Sequence, residues 1–206
     1  MFKKTLLTLA IVISSTTAMA NDHGSHDMNF SGQIDVKYSK VDSTAASING
    51  IYGSESANLD LDSLELGTKL NFFDNYFVKA SYADMSNEQK EKEIDLGYQK
   101  DLSEIVTLRG SVGYHMIEDN LVNADIDSVT FKLSTHTKLT NQLTLDLGVE
   151  TFDTSVDLAN VSLPNMDDVS TDFVAGVTYY ISDDFTFSLE HRDMLKETGM
   201  KVSWHF

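Results

Sequence analysis

Apolar and polar residues alternate along nearly the whole chain from Phe30 to its last residue. Phe30, Ile34, Val36 and Tyr38 share one row, and Gln33, Asp35 and Lys37 the other. Leu59 and Leu61 are followed by Leu64, Leu66, Leu70 and Phe72; the row changes parity between Leu61 and Leu64, which predicts a β-bulge near Asp62-Ser63. Tyr76, Val78, Ala80 and Tyr82 oppose Lys79 and Ser81; Ile94, Leu96 and Tyr98 oppose Asp95, Gly97 and Gln99. The same alternation recurs at 106–116, 129–139, 143–150, 173–181, 185–192 and 200–206. Successive side chains of a strand point to opposite faces, so this period of two predicts ten strands, each with one apolar and one polar face.

The connections alternate in length. Short turns are expected at 73–75, 101–104, 140–142 and 182–184, and longer loops at 43–56, 86–92, 118–127, 153–171 and 193–198. All the short turns fall at the end that holds both termini. An even number of antiparallel strands with this asymmetry predicts an up-and-down barrel.

Composition narrows the class. The chain has 206 residues, 41% of them apolar, and no second run of about 18 apolar residues after the first, so membrane helices are not expected. A membrane barrel escapes that test, because only alternate residues face lipid. Residues 1–20 read as a cleaved signal peptide: Lys3 and Lys4, a short apolar core from Leu6 to Ile13, and Ala18-Met19-Ala20 as the cleavage site. Residues 21–28 are expected to form a mobile periplasmic tail, and 29–206 the barrel. There is no Cys, hence no disulfide and no lipoprotein anchor. Losing Lys3 and Lys4 takes the net charge from −17 to −19, which argues against nucleic acid as a partner.

The closing stretch, Gly199-Met200-Lys201-Val202-Ser203-Trp204-His205-Phe206, is two-faced and ends on an aromatic residue. It resembles the last strand of small bacterial outer-membrane β-barrels, of the OmpA/OmpX-like or narrow-porin type. The resemblance implies an all-β, antiparallel transmembrane barrel of about ten strands (eight as the alternative), with short periplasmic turns and longer extracellular loops. It implies the outer membrane of a Gram-negative bacterium as the location. Expected partners are membrane lipid, lipopolysaccharide and the outer-membrane assembly machinery, which would read Trp204 and Phe206 as an assembly signal. A monomer is expected. The competing architecture is a soluble, lipocalin-like barrel with the two rows exchanged. Against it stand aromatics near the strand ends of the apolar row: Phe72, Tyr76, Phe185, Trp204 and Phe206 at one end, Tyr38, Tyr82 and Tyr114 at the other. They resemble two interfacial girdles. The polar row is rich in small residues (Gly67, Gly97, Gly113, Gly148, Gly176), which suits a crowded interior.

The polar row then lines the lumen. Its expected acidic residues are Asp35, Glu65, Asp95, Asp146, Glu150 and Glu190, and its basic ones Lys37, Lys69, Lys79, Arg109, Lys132, Lys138, Arg192 and Lys201. Eight strands leave an interior just filled by side chains and sixteen leave a channel. Ten should be mostly filled, with opposite charges paired. That favours a structural and surface-interaction role over a narrow pore for ions or small solutes. An enzyme acting on lipid or peptide ranks third: no hydrolase motif surrounds His115, His136 or any Ser, and His191 and His205 flank strand ends with no partner legible in the sequence.

Two further features concern cations. Glu118, Asp119, Asp125 and Asp127 crowd one expected loop, and Asp153, Asp157, Asp167, Asp168 and Asp172 the next. Their spacing matches no EF-hand, so any divalent binding there should be weak. Cleavage after Ala20 would leave Asn21-Asp22-His23 at the amino-terminus. The free amine, two backbone amides and the His23 imidazole offer four nitrogens in a plane, the geometry Cu(II) and Ni(II) prefer. No other cofactor is expected.

Overall fold

The computed structural model describes residues 31–42, 60–73, 75–86, 89–119, 124–158, 168–193 and 196–206. Ten antiparallel strands follow in chain order: β1 (Ser31–Asp42), β2 (Asp60–Phe72), β3 (Tyr76–Met85), β4 (Gln89–Asp101), β5 (Val106–Asp119), β6 (Ala124–Lys138), β7 (Leu143–Leu158), β8 (Asp168–Tyr180), β9 (Phe185–Arg192) and β10 (Glu197–His205). Each pairs with its sequence neighbours, and β10 pairs with β1, so the sheet closes into an up-and-down barrel without an edge. Residues 1–30 lie outside the described residues, and with them the expected signal peptide, the tail and the Asn21-Asp22-His23 motif.

Each ladder runs in unbroken register, which removes the expected bulge at Asp62-Ser63: β2 pairs with β1 continuously from Asp60↔Asp42 to Asn71↔Ser31. The parity change reflects depth instead. Asp62 lies in the outward row above the last apolar residues, where it accepts a hydrogen bond from the Tyr38 hydroxyl at 2.9 Å. Outside a bilayer the outward row has no need to be apolar.

Three of the four short turns share one construction. Backbone N–H groups of Leu102, Leu139 and Ile181 donate to the carbonyls of Val106, Leu143 and Phe185 at 2.8–2.9 Å. The hydroxyls of Ser103, Thr140 and Ser182 accept from the N–H groups of those same three residues at 3.0–3.2 Å. The sequence pattern is Leu/Ile, Ser/Thr, two free positions, then an apolar residue. Phe73 takes a left-handed conformation (φ 51°) in the remaining turn.

At the other end the strands run further than the alternation predicts. β4 already begins at Gln89, β5 extends to Asp119, β6 begins at Ala124 and β7 reaches Leu158. Most of the expected acidic loop residues are therefore strand residues. Asp125, for example, lies between Glu118 and Asp157 on its two neighbours. Ladder hydrogen bonds need only backbone, so pairing continues after the apolar pattern stops. An ion pair between Lys92 and Glu118 ties β4 to β5 there. Beyond β9, Lys196 (φ 46°) pairs with Asp193 at 2.8 Å and holds that carboxyl below its ordinary range.

The outward row is apolar and exposed: Val36, Leu64, Ile94, Leu96, Val112, Phe131, Leu133, Leu147, Phe173, Val177, Leu189 and Val202 all open outward. Aromatics bound it at the turn end. Phe72 stacks on Tyr76, Tyr76 meets Tyr98 edge-on, and Trp204 touches Phe206. At the loop end the Tyr38 and Tyr114 hydroxyls donate to Asp62 and Asp127. Amphipathic rings at both margins of an exposed apolar band are the arrangement of a membrane-facing wall. The rows are not those of a soluble ligand-binding barrel, because the buried row is the polar one: Asp35, Lys37, Asp95, Thr130, Glu150, Asp172 and Ser203 are buried.

Candidate functional site

The lumen is built from the inward row of all ten strands. Glycine makes room for its larger groups. A Cβ on Gly97 would collide with the Phe77 ring, and one on Gly113 with Asp95 and Thr130. Small residues of the inward row thus seat bulky neighbours on the adjoining strands, and Asp95 is only 2% exposed as a result.

Its loop-side half holds a network of ion pairs. Lys37 on β1 pairs with Glu190 on β9 at 3.0 Å and with Glu197 on β10 at 2.8 Å. Arg192 on β9 reaches Glu150 on β7 at 3.2 Å, Glu190 at 3.3 Å and Glu197 at 3.5 Å. Lys79 on β3 pairs with Glu93 on β4 at 3.1 Å. Lys132 on β6 pairs with Glu93, and with Asp95 at 3.1 Å. Arg192 also acts electrostatically on Glu93, which joins the two groups across the lumen. Glu65 acts on both Lys37 and Lys79 from β2. A buried charge is costly unless paired, and this half supplies a carboxylate for each of its cations.

The turn-side half differs. Lys69, Arg109 and Lys201 project into it from β2, β5 and β10 and line a cavity of about 270 Å³, which also reaches Lys79, Asp95, Lys132, Glu150, Glu190 and Arg192 of the network. Its carboxylates, Asp35 and Asp146, are engaged elsewhere. Gln33 donates to both Asp35 oxygens at 2.9 Å. Asp146 meets His136 Nδ1 at 2.5 Å and accepts from the Thr178 hydroxyl at 3.2 Å. The far nitrogen of His136 lies 3.4 Å from the Tyr180 hydroxyl. Lys69 donates to Gln99 at 3.2 Å and sits 4.3 Å from the centre of the Phe77 ring.

Thirteen of the fourteen lumen charges expected from the alternation are thus interior. The exception is Lys138, which shares the inward row but lies exposed beside the 139–142 turn. Four acidic lumen residues were missed: Glu91, Glu93, Asp172 and Glu197. All fall within or beside the stretches expected as loops. The signal was present, since Glu91 and Glu93 keep the parity of Asp95, and Glu197 that of Gly199 and Lys201. Glu91 takes His115 Nε2 at 2.7 Å, so this histidine belongs to the ion-pair system of the loop-side half. His205 lies 3.2 Å from the Thr186 hydroxyl in the turn-side half, and His191 bonds Thr198 in the outward row. Among the described residues no three of His, Asp and Glu converge to hold a metal ion.

No family model and no curated protein sequence matches the chain. Solved structures do match. The COG4313 outer membrane channel from Pseudomonas putida F1 is 8% identical, aligns over 90% of this chain and 98% of its own, and gives a TM-score of 0.52. The KdgM porin is 9% identical over 84% and 98%, with a TM-score of 0.47. The NanC porin is 11% identical over 82% and 97%, with a TM-score of 0.44. At these identities the likeness is one of fold: the chain has the closed antiparallel barrel of outer-membrane proteins.

Proposed function

We propose that this chain is an outer-membrane β-barrel of a Gram-negative bacterium whose lumen is plugged by its own ion pairs, with a structural and surface-interaction role. The observation that carries the reading is Arg192, which engages Glu150, Glu190 and Glu197 from three strands. Cations and carboxylates of β1, β3, β4, β6, β7, β9 and β10 occupy one level of the lumen. A solute crossing that level would have to separate them, at a cost of several kcal/mol per broken pair. Acidic residues on the outer strand ends present a negative rim to cations, lipopolysaccharide or another surface. Lipid and the assembly machinery are the remaining partners in this reading. The chain acts as a monomer and carries out no catalysis.

A narrow pore is the second reading, favoured by a cavity of about 270 Å³ that Lys79, Lys132, Glu190 and Arg192 of the network line together with Lys69, Arg109 and Lys201. Planar-bilayer recording of the refolded protein separates the two. The plugged barrel is silent, and Arg192→Ala combined with Glu93→Ala opens discrete conductance steps. Wild-type channels of stable amplitude would replace the plug with the pore.

A further inference from the structure

The two halves of the lumen treat charge differently. In the loop-side half Lys37, Lys79, Lys132 and Arg192 each have a carboxylate within ion-pair distance. Among the described residues, Lys69, Arg109 and Lys201 have none. The buried Nε of Arg109 has no hydrogen-bond partner at all. Lys69 is held only by the neutral Gln99 amide and the face of Phe77. All three line the same cavity. Asp35 and Asp146 line the same cavity, and their oxygens are bonded to Gln33, His136 and Thr178.

Three cations from three separate strands that line one cavity without an ion-pair partner cost the empty barrel desolvation and mutual repulsion. A ligand carrying the missing negative charge would remove that cost. The donors suit oxygen: a planar guanidinium that forks onto two acceptors and two point-like ammonium groups. The His136 and His205 rings and the Tyr180 hydroxyl line the same cavity and add polar edges.

We infer that the turn-side cavity is a binding site for a small multivalent oxyanion, held by Lys69, Arg109 and Lys201. The ligand is a free solute rather than a lipid headgroup, because the barrel wall separates the cavity from the apolar band. Its chemical class is phosphate or a small phosphorylated or polycarboxylated compound. The site occupies the turn-side part of the lumen cavity, where Gln33, Tyr180 and His205 line it, while Lys79, Lys132, Glu190 and Arg192 of the ion-pair network line the rest. The site itself does not depend on the plug, because its three cations take no part in the network.

The test is calorimetric titration of inorganic phosphate into the protein refolded in nonionic detergent, at fixed ionic strength. One saturable site is expected. Arg109→Gln and Lys201→Gln should each weaken it about tenfold, the worth of one charge-assisted hydrogen bond. Lys100→Gln, at an exposed position, should leave it unchanged. Thermal melts supply a second readout that a purely structural role would move the other way. Without phosphate, Arg109→Gln should melt higher than wild type, because it relieves the unpaired cluster. Saturating phosphate should raise the wild-type melting temperature more than that of the variant. Absence of saturable binding, equal weakening by Lys100→Gln, or a lower melting temperature for phosphate-free Arg109→Gln would overturn the inference.

Discussion

Phe206 and Gly32 exchange both of their backbone hydrogen bonds, at 2.8 and 2.9 Å, where the last strand closes on the first. The Phe206 ring covers Gly32 so closely that a Cβ there would lie 2.5 Å from it. The aromatic end of the chain is therefore part of the seam, with the glycine as its seat. Deleting Phe206 should remove both hydrogen bonds and the Trp204 contact, lowering the outer-membrane level of the protein and the fraction showing heat-modifiable gel migration. Gly32→Val should mimic it in part, by displacing the ring. Unchanged membrane levels in the deletion would show that the seam holds without it.

Leu133 and Leu139 are equally exposed, at 52% and 53%, but differ in depth: Leu133 lies within the apolar band and Leu139 in a turn at its margin. Arg at position 133 should cost about 2–4 kcal/mol of stability in lipid and Arg at 139 about 0–1 kcal/mol. Urea titration of the two variants in vesicles measures the difference. Equal costs would contradict a lipid-facing wall, since a soluble surface makes no distinction by depth.

Arg192 anchors three carboxylates, so Arg192→Met leaves Glu190 and Glu197 to share Lys37 and removes the ion-pair partner of Glu150. A loss of about 3–5 kcal/mol is expected. Glu150→Gln added to Arg192→Met should cost less than the sum of the single changes, because the carboxylate it neutralises has already lost its partner. Equilibrium unfolding of the four proteins in a double-mutant cycle gives the coupling. Strict additivity would place Glu150 and Arg192 in separate environments.

The Thr140 hydroxyl accepts from the N–H groups of Gln142 and Leu143 at 3.1 and 3.0 Å. Thr140→Ala should cost about 1 kcal/mol, the ordinary net worth of a hydrogen bond, since water takes over the freed groups at this exposed turn. Thr140→Ser should restore the stability. If Ser fails where Thr succeeds, the methyl group rather than the hydroxyl supports the turn.

Much of this molecule is a consequence of local sequence. The alternation around Val36, Leu96, Leu133 and Val202 decides which row faces outward, because a strand cannot present two successive side chains to the same face. Ser103, Thr140 and Ser182 mark their turns through hydrogen bonds made within three residues. Where the strands end at the loop side was less legible. Glu91, Glu93 and Asp125 look like loop residues, yet backbone pairing carries them on as strand. Which lumen charges meet was decided only by closure and by the reach of side chains across it. Lys37 lies opposite Lys201 and Glu65 in register, but its ion pairs are with Glu190, two strands away, and with Glu197, further along β10. Lys69, Arg109 and Lys201 stand far apart in the chain and on three strands of the ring. Only the closed, narrow lumen brings them to one cavity. The sequence names the inward row, but partner choice within it depends on distances across a barrel, and no periodicity along the chain encodes those.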